Sequence, residues 1–138
     1  MPCRILIADD HSKVRRTLKT LLEDHDGWQV CGEAANGLEA VQKAAELKPD
    51  LVILDLAMPV MDGMRAAREI SSTFPSLPIV MHTNHDSSAV ALEAENSGVR
   101  KFVSKGNFGG DLIRAIEILL ISGMRTRNAV AGKLRERS

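Results

Sequence analysis

The chain has 138 residues, of which 44% are hydrophobic and 26% charged, and it therefore suits one ordinary globular domain with a single core. The formal net charge is zero, but segment 123–138 carries five basic residues and one acidic residue, so the preceding body is mildly acidic. That body is a poor candidate for nucleic-acid binding, because phosphate contacts need clustered positive charge.

Two further features bound the class of protein. No apolar run approaches the roughly 20 residues of a membrane span, and the first residues lack a signal-peptide layout. We therefore expect a cytoplasmic protein that does not enter a membrane. Cys3 and Cys31 match no metal-ligand spacing and lie within apolar runs, so we expect buried, reduced thiols.

Short β-rich runs alternate along the chain with stretches of helical spacing. The β-rich runs are residues 4–8, 28–31, 51–54, 79–82 and 101–103. The apolar residues expected on the five helix faces are Val14, Leu18, Leu21 and Leu22; Leu38, Val41, Ala45 and Leu47; Met64, Ala67 and Ile70; Val90, Leu92 and Ala94; and Leu112, Ile113, Ile116, Leu119 and Leu120.

The helix boundaries agree with this division. Asn36-Gly37 and Asp62-Gly63 precede the second and third predicted helices, and Ser97-Gly98 follows the fourth. Five strands that alternate with five helices predict an α/β fold, in which right-handed crossovers place helices on both faces of a parallel sheet. The runs 4–8 and 51–54 are apolar throughout, as expected of strands buried on both faces.

Polar side chains follow four of the five predicted strands. Asp9-Asp10 ends the first, Asp55 the third, His82-Thr83 the fourth and Ser104-Lys105 the fifth. The second ends in Gly32-Glu33, which carries no obvious chemistry. Open parallel sheets bind ligands at the carboxyl ends of their strands, so we expect the carboxylates, the hydroxyl and the ammonium to form one site.

Each of these residues also has an ordinary structural explanation when it is taken alone. Asp10 is typical of a helix N-cap, Asp55 of a solvated strand-end acid, and Lys105 of a side chain that reaches water along its stem. Thr83 is typical of a turn, with Asn84 or Asp86 as the helix cap that follows. Acids at two strand ends, with threonine and lysine at the next two, would be an unusual coincidence and favour a working site.

The charges themselves predict a metal-assisted site. Three carboxylates at one rim repel one another, and a hard divalent cation bound by oxygen relieves that repulsion. Mg²⁺ suits an open acidic rim, because it accepts one or two carboxylates together with waters and a phosphate oxygen. A carboxylate beside the ion can attack phosphorus and become an acyl phosphate, while the ion, the ammonium and the hydroxyl stabilise the developing charge.

With these residues in place, the sequence resembles a bacterial two-component response-regulator receiver domain, and most closely the receivers that precede LuxR-type helix-turn-helix domains. The resemblance covers residues 3 to about 122. The matching pieces are ILIADDH at 5–11, GEAANGLEA at 32–40, PDLVILDLAMPVMDG at 49–63, Thr83 and Lys105. The resemblance implies a flavodoxin-like, doubly wound five-stranded parallel sheet with strand order 2-1-3-4-5.

The resemblance also implies roles for the matching acids. Asp55 would be the phosphoacceptor, and Asp10 and Asp55 would bind Mg²⁺ or Mn²⁺ directly. The Ala57 carbonyl would be a further ligand, and Asp9 would assist through water. The chain would not be an enzyme beyond accepting a phosphoryl group and losing it again.

A second set of implied roles concerns the response to phosphorylation. Lys105 would contact the phosphoryl group, Thr83 would move to bond it, and Phe102 would repack inward. The phosphate donor would be a partner sensor histidine kinase or phosphotransfer protein. The result would be a conformational switch in a phosphorelay, acting on an output domain, on transcription or on a protein partner.

Three positions depart from the family pattern. Gly106 follows Lys105 where the family usually has a proline after a cis bond, and this leaves the conformation of the Lys105–Gly106 bond open. Asn84 follows Thr83 where a small residue is usual, and its amide could crowd the phosphate. Phe102 replaces the commoner tyrosine, so its switching would rest on packing alone.

Three rival interpretations fit the sequence less well. A haloacid-dehalogenase phosphatase needs a second Asp two residues after its nucleophile, but His11 stands two residues after Asp9. A flavin-binding flavodoxin needs a phosphate-binding loop after the first strand, where Asp9-Asp10 would repel the phosphate. A pseudo-receiver, which is a binding module without phosphorylation, usually lacks one of the acids or the lysine, and all are present here.

The predicted division is a receiver domain at 3–122 followed by a basic tail or linker at 123–138. The tail either leads to a DNA-binding output domain outside this chain or ends a stand-alone receiver that acts through protein contacts. DNA would be contacted only through such an output domain. A homodimer is a further expected partner state.

Overall fold

The computed structural model describes residues 2–106 and 109–122, so the predicted tail at 123–138 lies outside the described residues. The strands are β1 (Cys3–Ala8), β2 (Trp28–Ala34), β3 (Leu51–Leu54), β4 (Ile79–Thr83) and β5 (Lys101–Ser104). The helices are α1 (Ser12–Glu23), α2 (Gly37–Leu47), α3 (Gly63–Thr73), α4 (Ser88–Asn96) and α5 (residues 110–122). All strand pairs are parallel, and the order β2-β1-β3-β4-β5 confirms the predicted doubly wound topology.

Most strands extend beyond the apolar runs that predicted them. β2 runs to Ala34, β4 includes Thr83 and β5 includes Ser104. The ladder still pairs these polar ends, since Glu33 lies opposite Ile7 and Ser104 opposite Thr83. Backbone hydrogen bonds do not depend on side-chain polarity, so pairing continues to the residues that carry the polar groups.

Apolar side chains alternate between the two faces of the sheet and fill two core layers. The layer between the sheet and helices α1 and α5, here called the α1/α5 layer, takes from the sheet Ile5, Ile7, Leu51, Ile53, Val80 and Val103. The layer on the opposite face, here called the α2–α4 layer, takes Leu6, Ala8, Val52, Leu54, Ile79 and Met81. β3 is buried throughout and β1 over its last four residues, as their apolar runs predicted.

The buried face of α2 differs in part from the prediction, since Val41 and Leu47 pack against the α2–α4 layer as expected. Leu38 is 40% exposed and Ala45 is also exposed, whereas Ala40 and Ala44 are buried. Small residues at the contact positions let α2 approach its neighbours closely, and the helical period then turns Leu38 and Ala45 outward.

The predicted face of α4 was also partly wrong. Val90 packs against the α2–α4 layer and Ala94 lies within it, but Leu92 is 60% exposed. Leu92 lies about 200° around the helix from Val90, so the two side chains cannot share a face. The N-cap is Ser87, whose side chain accepts a hydrogen bond from the Val90 N–H, rather than either residue suggested by the sequence.

The other predicted helix boundaries are confirmed. The Asn36 side chain accepts a hydrogen bond from the Glu39 N–H at 2.8 Å, and Asp62 caps α3 in the same way through the Arg65 N–H at 2.8 Å. Gly98 follows the end of α4 with φ 99°, a left-handed conformation that glycine adopts without steric cost.

Both cysteines are half-buried, so the expectation of full burial was wrong. Neither Cys3 nor Cys31 is disulfide-bonded. Burial raises the pKa of the Cys31 thiol, which favours its protonated and unreactive form. In the part of the chain that the structure describes, no helix is both long and apolar enough to cross a membrane.

Val60, in the loop between β3 and α3, holds a strained backbone conformation. Its φ is 69°, a left-handed value that is unfavourable for a β-branched residue, and its side chain is 75% exposed. We expect Val60→Asn to raise the free energy of unfolding by about 1 kcal/mol, because asparagine tolerates this conformation and no core contact is lost. Urea unfolding followed by circular dichroism measures the change.

Val60→Ala is the matched control. It removes the branched side chain but has no polar group that could hydrogen-bond locally in the left-handed conformation, so its gain in stability should be smaller than that of the asparagine variant. Equal stability of both variants and the wild type would show that the loop carries no such strain.

Candidate functional site

Five polar side chains predicted from the strand ends meet at the carboxyl edge of the sheet. Asp9 and Asp10 follow β1, Asp55 follows β3, Thr83 ends β4 and Lys105 follows β5. These strands are neighbours in the sheet, so their ends come together although they are far apart in sequence. Asp9, Asp55 and Thr83 are buried, while Asp10 is exposed. The site therefore has a buried floor and an open rim.

Lys105 joins two of the acids. Its ammonium donates to Asp9 Oδ2 at 2.7 Å and to Asp55 Oδ2 at 3.1 Å. Burial by itself lowers the Lys105 pKa, but these hydrogen bonds and the negative charges of the two carboxylates outweigh it and raise the pKa overall. The side chain is only 14% exposed, so the alternative of a lysine that simply reaches water is wrong.

Asp55 is held by its neighbours on the loop that follows β3. Its backbone N–H donates to the Ala8 carbonyl at 2.9 Å, and its Oδ1 accepts from the Leu56 N–H at 2.8 Å. Gly63 packs so closely that a Cβ there would collide with the Asp55 carbonyl oxygen. Asp55 is 6% exposed, so the alternative of a solvated strand-end acid is also wrong.

Asp10 does not cap α1. The N-cap is His11, and no side-chain hydrogen bond caps this helix end. The Asp10 carboxylate instead faces the His11 imidazole, with Nδ1 at 3.0 Å from Asp10 Oδ1 and 3.3 Å from Asp9 Oδ1. The exposed Asp10 carboxylate is thus available at the rim, while the buried Asp9 carboxylate lies on the floor of the site.

The donor set fits a divalent metal ion. Ligand atoms of Asp9, Asp10, His11 and Asp55 all lie within 4.8 Å of one another. Three of these groups are carboxylates, which are the hard oxygen donors preferred by Mg²⁺ and Mn²⁺. Ala57 lines the adjacent cleft of about 280 Å³ together with Asp55. His11 follows the acid pair directly but was not among the ligands predicted from the sequence.

Thr83 and Phe102 lie on the face of the sheet that is covered by the α2–α4 layer. Thr83 is fully buried, and its hydroxyl accepts a hydrogen bond from the His85 N–H at 3.2 Å. In this structure Thr83 therefore makes the turn contact that the sequence also allowed. Phe102 is half-buried and packs against the α2–α4 layer. The Lys105 N–H donates to the Thr83 carbonyl at 3.0 Å, which ties the two strand ends together.

Two of the departures from the family pattern are placed by the structure. Asn84 is exposed and lines the cleft beside Asp55 and Lys105, so its amide stands at the entrance to the site. The described residues contain no cis peptide bond, and the Lys105–Gly106 bond is therefore trans.

Arg15 and Glu33 form a contact that the sequence analysis missed. Arg15 Nη1 donates to the Asp9 carbonyl at 2.6 Å and Nε donates to Glu33 Oε1 at 3.1 Å. The end of β2, which carried no obvious chemistry, thus supports the backbone of the acid pair through α1. No spacing in the sequence signals this contact, because Arg15 lies in α1 and Glu33 lies near the end of β2.

His82 is a second group whose position sequence reasoning did not explain. Its ring is 6% exposed, and among the described residues its Nδ1 is the buried side-chain atom without a hydrogen-bond partner. Burial, followed by the positive charge of Lys105, lowers the His82 pKa to about 4, although Asp55 and Asp9 oppose the shift. The imidazole is therefore neutral at pH 7.

Comparisons with known proteins agree with this geometry. A sequence profile described as "Response regulator receiver domain" matches residues 5–117. The chain is 35% identical over 116 residues to response regulator protein VraR of Staphylococcus saprophyticus, covering 84% of this chain and 56% of that protein. It is 40% identical over 116 residues to a protein-glutamate methylesterase/protein-glutamine glutaminase of Alkalilimnicola ehrlichii, covering 81% of this chain and 30% of that protein.

A solved structure supports the same assignment. A two-component response regulator of the LuxR family from Aurantimonas sp. SI85-9A1 is 35% identical and gives a TM-score of 0.84, covering 88% of this chain and 87% of that chain. The chain spans no more than 56% of the two full-length relatives compared above. Because the receiver profile covers most of its length and the sheet has the same topology, the chain belongs to the response regulator receiver domain family.

Proposed function

We propose that this receiver accepts a phosphoryl group on Asp55 from a sensor histidine kinase or phosphotransfer protein. The observation that carries the proposal is the contact of one ammonium with the buried carboxylates of Asp9 and Asp55. A buried acid pair held by a lysine beside an open cleft is the arrangement that phosphoryl transfer needs, with a nucleophile and a cation at one point.

Asp55 would act as the nucleophile. One carboxylate oxygen attacks the phosphorus of the donor, a P–O bond forms, and the bond from phosphorus to the donor breaks with its electron pair on the leaving group. The hydrogen bond from the Leu56 N–H orients the Asp55 carboxylate at Oδ1. Lys105, which contacts Oδ2, is placed to stabilise the charge of the transferred group.

Asp10, Asp55 and the Ala57 carbonyl would hold Mg²⁺ or Mn²⁺, and Asp9 would support it through water. Bound there, the ion would supply positive charge next to the transferred phosphoryl oxygens. The fold would hold these ligand oxygens close together. Arg15 fixes the Asp9 backbone, and the hydrogen-bonded pairing of β1 with β3 fixes the spacing of the acids.

Thr83 and Phe102 would transmit the change. An aspartyl phosphate offers the Thr83 hydroxyl a new acceptor in place of its present contact with the His85 N–H. Movement of Thr83 toward the site leaves space on the α2–α4 face, where Phe102 already packs. A phosphoryl group shifts this equilibrium only by the contacts that differ between the two states.

The output is proposed from the relatives. This chain spans only part of VraR and of the methylesterase, so in those proteins a further region accompanies the receiver. We infer that this receiver controls an output domain, with transcription as the regulated process, or a protein partner that includes a second copy of the chain. The rival of a pseudo-receiver that is never phosphorylated is decided by the first experiment below.

The acceptor is tested by mass. With Mg²⁺ and acetyl phosphate, the wild type should gain one phosphate and Asp55→Asn none, because the amide lacks the nucleophilic oxygen. Intact mass spectrometry measures the gain. Asp62→Asn is the matched control, since Asp62 lies in the same loop, is exposed and only caps α3. A wild type that gains no phosphate would instead support the pseudo-receiver, and a phosphate that survives Asp55→Asn would move the acceptor elsewhere.

Metal binding is tested by calorimetry. Asp10→Ala should weaken Mg²⁺ binding by at least about tenfold, because a charged ligand is lost from a small oxygen donor set. Asp86→Ala, another exposed acid in a loop that leads into a helix, serves as the control and should bind normally. Trp28 lies at the opposite end of the sheet and stacks on His25, so its fluorescence is a poor reporter. Unchanged affinity in Asp10→Ala would remove Asp10 from the ligand set.

The switch is tested by hydrogen exchange and sedimentation with and without beryllofluoride, a phosphate mimic. Protection should change in α4 and β5, and the distribution of oligomers should shift, because Thr83 and Lys105 gain new partners at their strand ends. The same reagent on Asp55→Asn should leave both readings unchanged. If α4 and β5 keep their protection in the wild type as well, the response does not pass through this face.

A further inference from the structure

His82 lies on the same face of the sheet as the reactive side chains. Val80, two residues earlier in β4, belongs to the α1/α5 layer, and strand alternation puts His82 on that face. Val103, the register partner of His82 in β5, belongs to the same layer and precedes Lys105 by two residues. The imidazole therefore lies among the last core side chains before the site.

The charges that act on this ring are those of the site itself. They are the Lys105 ammonium and the carboxylates of Asp55 and Asp9. A buried polar atom is almost always hydrogen-bonded, so His82 Nδ1, which has no partner in the part of the chain that the structure describes, requires an explanation. A neutral imidazole can accept a hydrogen bond through Nδ1 when its proton is on Nε2.

The Lys105 ammonium, in turn, requires hydrogen-bond acceptors. An ammonium has three N–H donors, and in this structure the acceptors at 2.7 Å and 3.1 Å are oxygens of Asp9 and Asp55. Under the proposed function, phosphorylation modifies Asp55 and a metal ion is held beside Asp9. The two carboxylates that now accept hydrogen bonds from the ammonium then have other partners, namely the metal ion and the phosphoryl group.

We propose that His82 is a positioning residue for Lys105. When Asp55 is phosphorylated and the metal ion binds beside Asp9, His82 Nδ1 accepts a hydrogen bond from the Lys105 ammonium. This contact keeps Lys105 at the transferred group. This inference rests on the proposed phosphorylation of Asp55. It also explains why a polar ring occupies a core position where an apolar side chain would pack without an unpartnered atom.

The test compares three substitutions of one residue. His82→Leu removes every polar atom, His82→Asn keeps a carbonyl oxygen near the position of Nδ1, and His82→Gln places its amide nearer to that of Nε2. The initial rate of phosphate gain from acetyl phosphate with Mg²⁺ is followed by intact mass. His82→Leu and His82→Gln should be slower by about tenfold or more, as for the loss of one hydrogen bond to a charged group, and His82→Asn should stay within about threefold of the wild type.

A second arm separates positioning from general damage to the fold. In a Lys105→Ala background, His82→Leu should cause no further loss of rate, because the group that it positions is already absent. The melting temperature of His82→Leu should equal or exceed that of the wild type, since an unpartnered polar atom leaves the core. A purely structural histidine would instead lower the melting temperature and slow both backgrounds by the same factor.

Each outcome decides the inference. A His82→Leu protein that is phosphorylated at the wild-type rate overturns it, as does an equal slowing in the Lys105→Ala background. If His82→Leu does not fold, the contrast between His82→Asn and His82→Gln decides in its place, and equal rates in these two overturn the inference. A wild type that gains no phosphate overturns both the phosphorylation of Asp55 and this inference. If the wild type gains phosphate but the His82 variants do not show the predicted rates, only this inference is overturned and Asp55 remains the acceptor.

Discussion

The Lys105 ammonium, held between the carboxylates of Asp9 and Asp55, is the contact on which the site depends. It joins the ends of β1, β3 and β5 across sequence separations of 96 and 50 residues. Two buried carboxylates without a cation would be costly, because burial disfavours the charged form and the two charges repel. Lys105 offsets both effects, and it can do so only because the parallel sheet brings the three strand ends to one edge.

The two-residue period of the strands places the polar side chains of the strand ends on different faces of the sheet. Asp55 and Lys105 each follow by two residues a strand position that packs in the α1/α5 layer, and His82 in β4 occupies the same face. Thr83, the next residue along β4, lies on the opposite face with Phe102. One peptide unit therefore separates His82, on the face of Asp55 and Lys105, from Thr83, the residue proposed to transmit the response.

The loop after Asp55 is more tightly held than the loop after Thr83. Gly63 packs against the Asp55 backbone, and the Gly37 N–H donates to the Met61 carbonyl at 2.8 Å, so α2 and α3 both hold this loop. A Cβ at either glycine would collide with a carbonyl oxygen of the loop region. Residues 84–87, in contrast, are exposed. The proposed acceptor thus stands on a firm support, while the segment expected to move is the one with fewer buried contacts.

The sequence by itself determined that parallel strands alternate with helices and which polar side chains meet at the carboxyl edge, because apolar runs, helix caps and strand-end residues are local signals and a parallel sheet has only one such edge. The strand order was implied by the family resemblance. The sequence could not determine which face of α2 is buried, since close packing of Ala40 and Ala44 turns Leu38 outward. Only the tertiary structure decided that Arg15 supports the backbone of the acid pair and that a buried nitrogen of His82 has no hydrogen-bond partner among the described residues. Those facts depend on which groups from distant segments come to lie opposite one another, and no spacing along one chain encodes them.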